Sequence, residues 1–166
     1  IAFPAIAFPA MAEELAAIVE SIDPPRADIR ALDLLPAGLV TLAEVFSTNG
    51  YATRAFVSNF AIAPQFGTDH GFQTFRLFDR KRDVAMPIDP KIGYVPIFFM
   101  DPEVKAFFER PPAEPFFAYV HTTDPHQPYR PPLEYLLWGR QNRDRYDGEV
   151  RFSDDFIAGW IDALRA

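Results

Sequence analysis

The sequence contains no cysteine among its 166 residues. This absence excludes a disulfide, a thiolate metal site and a cysteine nucleophile, although it does not fix the redox compartment. Basic residues are also in deficit, because 16 Lys and Arg stand against 23 Asp and Glu and give a net charge of −7. A field of this sign repels polyanions, and no basic stripe interleaved with aromatic residues occurs, so nucleic acid is not expected as a partner.

A long uninterrupted apolar run is missing as well. The N-terminal segment 1–19 is apolar, but Pro4, Pro9, Glu13 and Glu14 interrupt it. A membrane span needs about 18 or more consecutive apolar residues, and a signal peptide needs a basic leader. We therefore expect neither a membrane anchor nor a signal peptide in this segment.

The residues that are present are typical of one folded domain. Hydrophobic residues make up 49% of the chain and aromatic residues 15%, which is too rich for a disordered sequence. A globular chain of this length buries roughly 70% of its unfolded surface, enough for a core. No shift in composition marks a boundary, so we predict a single domain over residues 1–166, with an irregular N-terminal segment at 1–14.

Strand and helix signals alternate in the first half of the chain. An apolar run at 15–22 predicts a buried strand that ends at Asp23, because two prolines follow. The T-x-x-E pattern of Thr41 and Glu44 predicts a capped helix over 41–49. Strand composition at 53–58 comes next, and this alternation predicts an α/β fold with a mostly parallel central sheet flanked by helices.

The second half carries similar signals. Residues 101–110 predict a short helix that stops before two prolines, and the unalternated apolar run 115–120 predicts a strand buried on both faces. The four prolines within 121–132 predict a stiff, extended loop. Apolar residues at helical spacing over 152–164 predict an amphipathic helix.

Polar residues at two predicted strand ends are the candidate ligand contacts, because ligands of open α/β sheets bind outside the carboxyl ends of strands. Asp23 could bind a hard divalent cation, and His126 could hydrogen-bond an anionic ester or protonate its leaving group. The alternatives are a turn-forming aspartate and a loop histidine bonded to a carbonyl. His121 and Asp124 are predicted to form a local hydrogen-bonded pair rather than to contact substrate.

Other polar residues are assigned structural roles. Asp154 and Asp155 are interpreted as capping or first-turn residues of the last helix, where acids interact favourably with the helix dipole. The basic residues Arg76 and 80–82 are interpreted as a solvated face. His70 is predicted to lie in a turn, with Gly71 at positive φ.

At this point an ordered set of segments resembles the sulfatases of the alkaline phosphatase superfamily. LPAGLVTLAEVFSTNGYATRAFVSN with HGFQTF is similar to that family's TLAE helix, GY-x-T strand and GF turn. PFFAYVHTTDPHQPYRPP is similar to its HxxDPHxPY segment, YDGEVRFSDDFIAGWIDAL to the helix that follows, and SIDPPRADI to its opening strand end. The matched segments are 21–29, 35–59, 70–75, 115–132 and 146–164.

The resemblance implies hydrolysis of sulfate esters by an enzyme that uses bound calcium (Ca²⁺) and a formylglycine made from Cys or Ser. It implies a sulfated small molecule or glycan as ligand and a periplasmic or extracellular location. By carry-over Asp23 is a metal ligand, and His126 contacts the sulfate group or ester oxygen beside His121 and Asp124. Arg26 and Asp28 match the motif as structural neighbours of the metal strand.

Three departures from the family pattern predict a truncated domain without turnover. The family nucleophile lies in a C/S-x-P-x-R motif, whereas the corresponding position here is Ile22. The Lys and His that many members carry after the GY-x-T strand correspond to Ser58 and Phe60, and the second metal half-site is expected beyond Ala166. The alternatives are a non-catalytic binding module that reuses the fold, and a phosphoester hydrolase or transferase of the same superfamily.

Overall fold

The computed structural model describes residues 34–36, 38–88 and 91–166. The predicted strand at 15–22 and the candidate metal ligand Asp23 lie outside these residues. The described strands are β1 Ala52–Val57, β2 Thr74–Leu77 and β3 Phe116–His121. The described helices are α1 Leu42–Thr48, α2 Arg80–Asp83, α3 Ile97–Glu109 and α4 Asn142–Arg165, with 3-10 turns at Phe60–Ile62, Pro64–Phe66 and Leu133–Tyr135.

The three strands form a parallel sheet in the order β2-β1-β3. In the register, Val57 at the end of β1 lies beside Leu77 of β2 and His121 of β3. The carboxyl ends of all three strands therefore meet at one edge of the sheet. The predicted α/β class with a parallel sheet flanked by helices is confirmed.

Helix α1 begins where the capping pattern predicts. The Thr41 hydroxyl accepts a hydrogen bond from the Glu44 amide at 3.1 Å, and the Glu44 carboxylate accepts one from the Thr41 amide at 2.8 Å. These two bonds satisfy amides that lack a partner within the helix. The helix ends at its C-cap Asn49, and Gly50 beyond it takes φ +81. The helix predicted over 41–49 is therefore confirmed.

The core lies between the sheet and the pair α3 and α4. Its buried members are Phe56, Phe78, Val95, Ile97, Met100, Val104 and Trp160. Each large apolar side chain buried in this way contributes roughly 1.5–3 kcal/mol. Trp160 of α4 also donates its indole N–H to Asp101 of α3 at 2.8 Å, which ties the two helices together.

Two helices begin earlier than the sequence predicts. Helix α3 starts at Ile97 rather than at residue 101, and Pro102, a residue typical of a first turn, lies inside it. Helix α4 starts at Asn142 rather than at residue 152, and Asp144 is the acid of its first turn. The interpretation of Asp154 and Asp155 as first-turn residues is therefore wrong, because both lie in the middle of α4. Asp155 instead pairs with Arg151 at 3.1 Å and accepts a bond from the Tyr135 hydroxyl at 3.0 Å.

The strands differ from expectation in burial. Strand β3 was predicted to be buried on both faces, but its residues are mostly half-buried and Tyr119 is 39% exposed. Strand β2 was not predicted, since its four residues TFRL include an arginine. That arginine, Arg76, does not belong to a solvated face as predicted. It pairs with Asp83 and Glu103, each at 2.7 Å, and the predicted positive φ at Gly71 is confirmed at +84.

Of the helices in the described part of the chain, none combines the length and apolar character that crossing a membrane requires.

Candidate functional site

The loop that follows β3 is anchored to the end of β1 by Ser58. The Ser58 amide donates to the His121 carbonyl at 3.0 Å, which continues the parallel pairing by one residue. The Ser58 hydroxyl accepts from the Thr123 amide at 3.0 Å and lies 3.1 Å from the Thr123 hydroxyl. Ser58 is buried, so these bonds form away from water and fix the first residues of the loop.

Asp124 joins this loop to the start of α3. Its carboxylate accepts hydrogen bonds from the Ile97 amide at 2.7 Å and the Thr122 hydroxyl at 3.1 Å. These partners differ from His121, with which the sequence prediction paired it. Burial raises the pKa of Asp124, and the hydrogen bonds to Ile97 and Thr122 oppose that shift. With 8% of its surface exposed, Asp124 serves as a buried cap for α3.

His121 ends β3 at the same edge. Its Nδ1 atom is buried and has no hydrogen-bond partner within the described residues. Burial lowers the pKa of His121 below its ordinary value of 6.5. The imidazole is therefore neutral at pH 7, and it neighbours the ring of Tyr119 at a centroid distance of 6.3 Å.

His126 is exposed in the loop, as are its neighbours Gln127 and Arg130. Its Nδ1 atom lies 2.7 Å from the Gln127 carbonyl oxygen. A carbonyl oxygen only accepts, so we assign the proton to Nδ1, which leaves Nε2 to contact a ligand. The ring packs edge-on against Tyr94 at 5.8 Å between centroids. This arrangement restricts the ring to one orientation.

Glu149 of α4 fixes the loop backbone at two points, the amides of His126 and Arg130. One carboxylate oxygen accepts from the His126 amide at 3.2 Å, and the other accepts from the Arg130 amide. Glu149 is only 2% exposed. Burial, and to a smaller extent the nearby charge of Asp124, raise its pKa to about 7 overall, although the two amides act in the opposite direction.

Sequence reasoning did not single out Glu149, although a signal for it exists. Glu149 lies three, seven and eleven residues before Phe152, Phe156 and Trp160, so it falls on the apolar face of the helix. An acid at a core position needs hydrogen-bond partners, and the adjacent proline-rich loop has backbone amides that can provide them.

Tyr94 supports the loop from a third direction. Its hydroxyl donates to the His126 carbonyl at 3.4 Å and also interacts with Asp124. Burial, together with the charges of Asp124 and Glu149, raises the pKa of Tyr94, so the hydroxyl stays protonated. Ser58, Glu149 and Tyr94 thus hold the loop that presents His126.

The described residues do not by themselves fit a calcium site. In ranges 34–36, 38–88 and 91–166, no three His, Asp or Glu side chains come together as metal ligands. Calcium takes about 6–8 oxygen ligands. Asp23, the ligand implied by the resemblance, lies outside these ranges.

The fold and the site define an α/β domain with a fixed, histidine-bearing loop at the carboxyl edge of a parallel sheet. The sulfatase family model matches residues 12–166. The chain therefore belongs to the sulfatase family. No curated protein and no solved structure matches it.

Proposed function

We propose that this chain is a sulfatase-type domain that binds the ester group of a sulfated small molecule or glycan through His126. The observation that carries the proposal is the position of His126, exposed at the carboxyl edge of the sheet within the region that the family model covers. When protonated, Nε2 donates to a sulfate oxygen. When neutral, it accepts a hydrogen bond from a ligand hydroxyl.

We further propose that the chain does not turn over sulfate esters by itself. It has no cysteine, and no C/S-x-P-x-R segment lies between Asp23 and Thr41. The position that the family fills with lysine after its GY-x-T strand is Ser58, which is committed to Thr123. Binding without covalent chemistry is the activity that these residues support.

The family generally binds a metal, and calcium with Asp23 as one ligand is part of the proposal. Bound calcium would supply positive charge beside the sulfate oxygens. A periplasmic or extracellular location is proposed because family members often work there.

An aryl sulfate tests the proposal. We expect the purified chain to bind 4-nitrophenyl sulfate, the His126→Ala variant to bind it more weakly, and neither protein to release 4-nitrophenol. His70→Ala is the control, since His70 is an exposed histidine of a different loop. Equal binding by both variants would contradict the role of His126, and 4-nitrophenol release lost in His126→Ala would contradict the absence of turnover.

Calcium titration tests the metal. We expect weak binding by calorimetry, because the described residues contain no cluster of ligands. Asp23→Asn should weaken this binding further, and binding that Asp23→Asn leaves unchanged would contradict the role of Asp23 as a ligand.

A further inference from the structure

We propose that a basic cavity next to His126 binds a second anionic group of the same ligand, so that the preferred ligand is an acidic glycan with more than one anionic substituent. This inference rests on the proposed function. The cavity has a volume of about 640 Å³ and lies between loop 127–130 and the start of α4.

Positive charge is concentrated in this cavity. Among the described residues that line it, Lys91, Arg130, Arg140 and Arg145 are cationic and none is acidic. The whole chain carries a net charge of −7, so this positively charged cluster is opposite in sign to the net charge of the protein. A cavity lined by one sign of charge raises the local concentration of ligands of the opposite sign.

The structure also positions part of this charge. The Nε atom of Arg145 donates to the Arg140 carbonyl at 2.9 Å, which holds its guanidinium at the start of α4. The acid of this turn, Asp144, accepts from the Gln141 amide at 2.9 Å and does not line the cavity. Arg145 is half-buried, whereas Arg140 is exposed.

The remaining lining residues favour a carbohydrate. Guanidinium groups bind sulfate and carboxylate through paired hydrogen bonds. The amide side chains of Gln127 and Asn142 can donate to and accept from hydroxyl groups, and Tyr129 adds an aromatic surface. Cations, amides and an aromatic ring together match a sugar that carries anionic groups better than they match an inorganic anion.

The lining of the cavity includes the residue that follows His126 in the chain. Gln127 lines the cavity and directly follows His126, and consecutive Cα atoms lie about 3.8 Å apart. A sulfate ester at His126 and a second anionic group at Arg140 and Arg145 can therefore belong to the same short oligosaccharide.

A sulfated disaccharide derived from heparin tests this site by calorimetry, with its desulfated form, which keeps only the uronate carboxylate, as the less charged probe. We expect Arg140→Gln/Arg145→Gln to weaken binding of the sulfated form roughly fivefold at low salt, as for the loss of two exposed ion pairs. The control is Arg143→Gln/Arg165→Gln, which removes the same charge from α4 at two positions that do not line the cavity. This control should change binding less than twofold.

Arg140→Gln alone serves as a second variant that should leave the fold unchanged. The bond from Arg145 uses only the backbone carbonyl of Arg140, which this substitution keeps. This variant should weaken binding about twofold with unchanged thermal stability. Equal weakening by the control pair, or equal affinity for the desulfated probe, would overturn the cavity proposal. If His126→Ala weakens binding and the arginine variants do not, the cavity proposal fails while the proposed function stands. The reverse result supports the cavity and contradicts the role of His126.

Discussion

Glu149 connects the last helix to the loop after β3, which carries His126, through two backbone amides. The protonation state of Glu149 can be measured. Its pKa rises from an ordinary 4.5 to about 7, mainly through burial. The folded protein therefore binds more protons than the unfolded chain between these values. It follows that the contribution of this group to stability is full below about pH 4.5 and is lost as the pH rises through about 7.

The Glu149→Gln variant should reveal this contribution. Glutamine does not titrate in this range, so the stability difference, variant minus wild type, should rise as the pH increases between about 4.5 and about 7. Urea unfolding at a series of pH values measures it. Asp124, His126 and Tyr94 face Glu149 and are present in both proteins, so the difference measures Glu149 together with its coupling to these groups. A difference that does not change with pH would contradict the raised pKa.

Asp124 is the second residue whose role can be tested by stability. Replacement by alanine leaves the Ile97 amide, the first of α3, without its 2.7 Å partner. An unsatisfied buried donor costs about 1–3 kcal/mol, so we expect Asp124→Ala to lower the free energy of unfolding by that amount. Asp154→Ala, at an exposed position in the middle of α4, should change it by less than about 0.5 kcal/mol. Equal effects in urea unfolding would argue against the capping role.

At the scale of elements, the close approach of the loop after β3 to α4 depends on Gly148. A Cβ atom at this position would lie 2.6 Å from the Tyr135 carbonyl oxygen and 3.0 Å from a Pro131 ring carbon. Both contacts belong to the segment that continues the loop, so glycine allows the loop to lie against the helix next to Glu149.

Two glycines of the same helix make a matched pair for testing this contact. We expect Gly148→Ala to destabilise the protein by about 1–3 kcal/mol, because backbone cannot move aside without strain. At Gly159 an added Cβ meets no atom within 4 Å, so Gly159→Ala should stabilise by up to about 1 kcal/mol through helix propensity. Thermal unfolding measures both. Stabilisation by Gly148→Ala would show that the loop does not pack as described.

The elements that sequence reasoning predicted are those with a local cause. Helix α1 carries its capping box, and β1 has clear strand composition. The start of α4 was missed because Gln141 is not a residue commonly found at an N-cap, and the start of α3 because Asp124, 27 residues away, caps it. Strand β2 exists because β1 pairs with it, and four residues are too few to show this.

The candidate site shows the same difference between features with a local cause and features that depend on distant residues. A motif marked His126, and its neighbours in the sequence marked the loop. The residues that hold the loop, Ser58, Tyr94 and Glu149, come from three distant segments. Their roles depend on tertiary contacts, which only the folded structure brings together.

At the scale of the whole molecule, the net negative charge favours solubility, whereas one exposed apolar strip on α4 lowers it. The strip consists of Ile157, Ile161 and Leu164 on α4, which are 41%, 44% and 39% exposed beside strand β3. Charge repulsion at a net −7 opposes association, and it vanishes near the isoelectric point of about 4.9. Exposed apolar patches then promote aggregation.

We therefore expect Ile157→Gln/Ile161→Gln to raise solubility near pH 4.9. Leu39→Gln/Val40→Gln is the control, since these residues are similarly exposed at 45% and 53% but lie outside the strip. Light scattering during a pH titration measures the onset of aggregation. An equal gain from both pairs would show that general hydrophobicity, and not the strip, controls association.

Ser58 also constrains how this protein can evolve. Its family resemblance places lysine at this position in many members, yet here the side chain is 4% exposed and bonded to Thr123. Replacing Ser58 with lysine would insert a long cation into a filled space and release the start of the loop that carries His126. A lysine at position 58 would therefore fit only together with changes at Thr123 and its neighbours, which makes positions 58 and 123 a coupled pair.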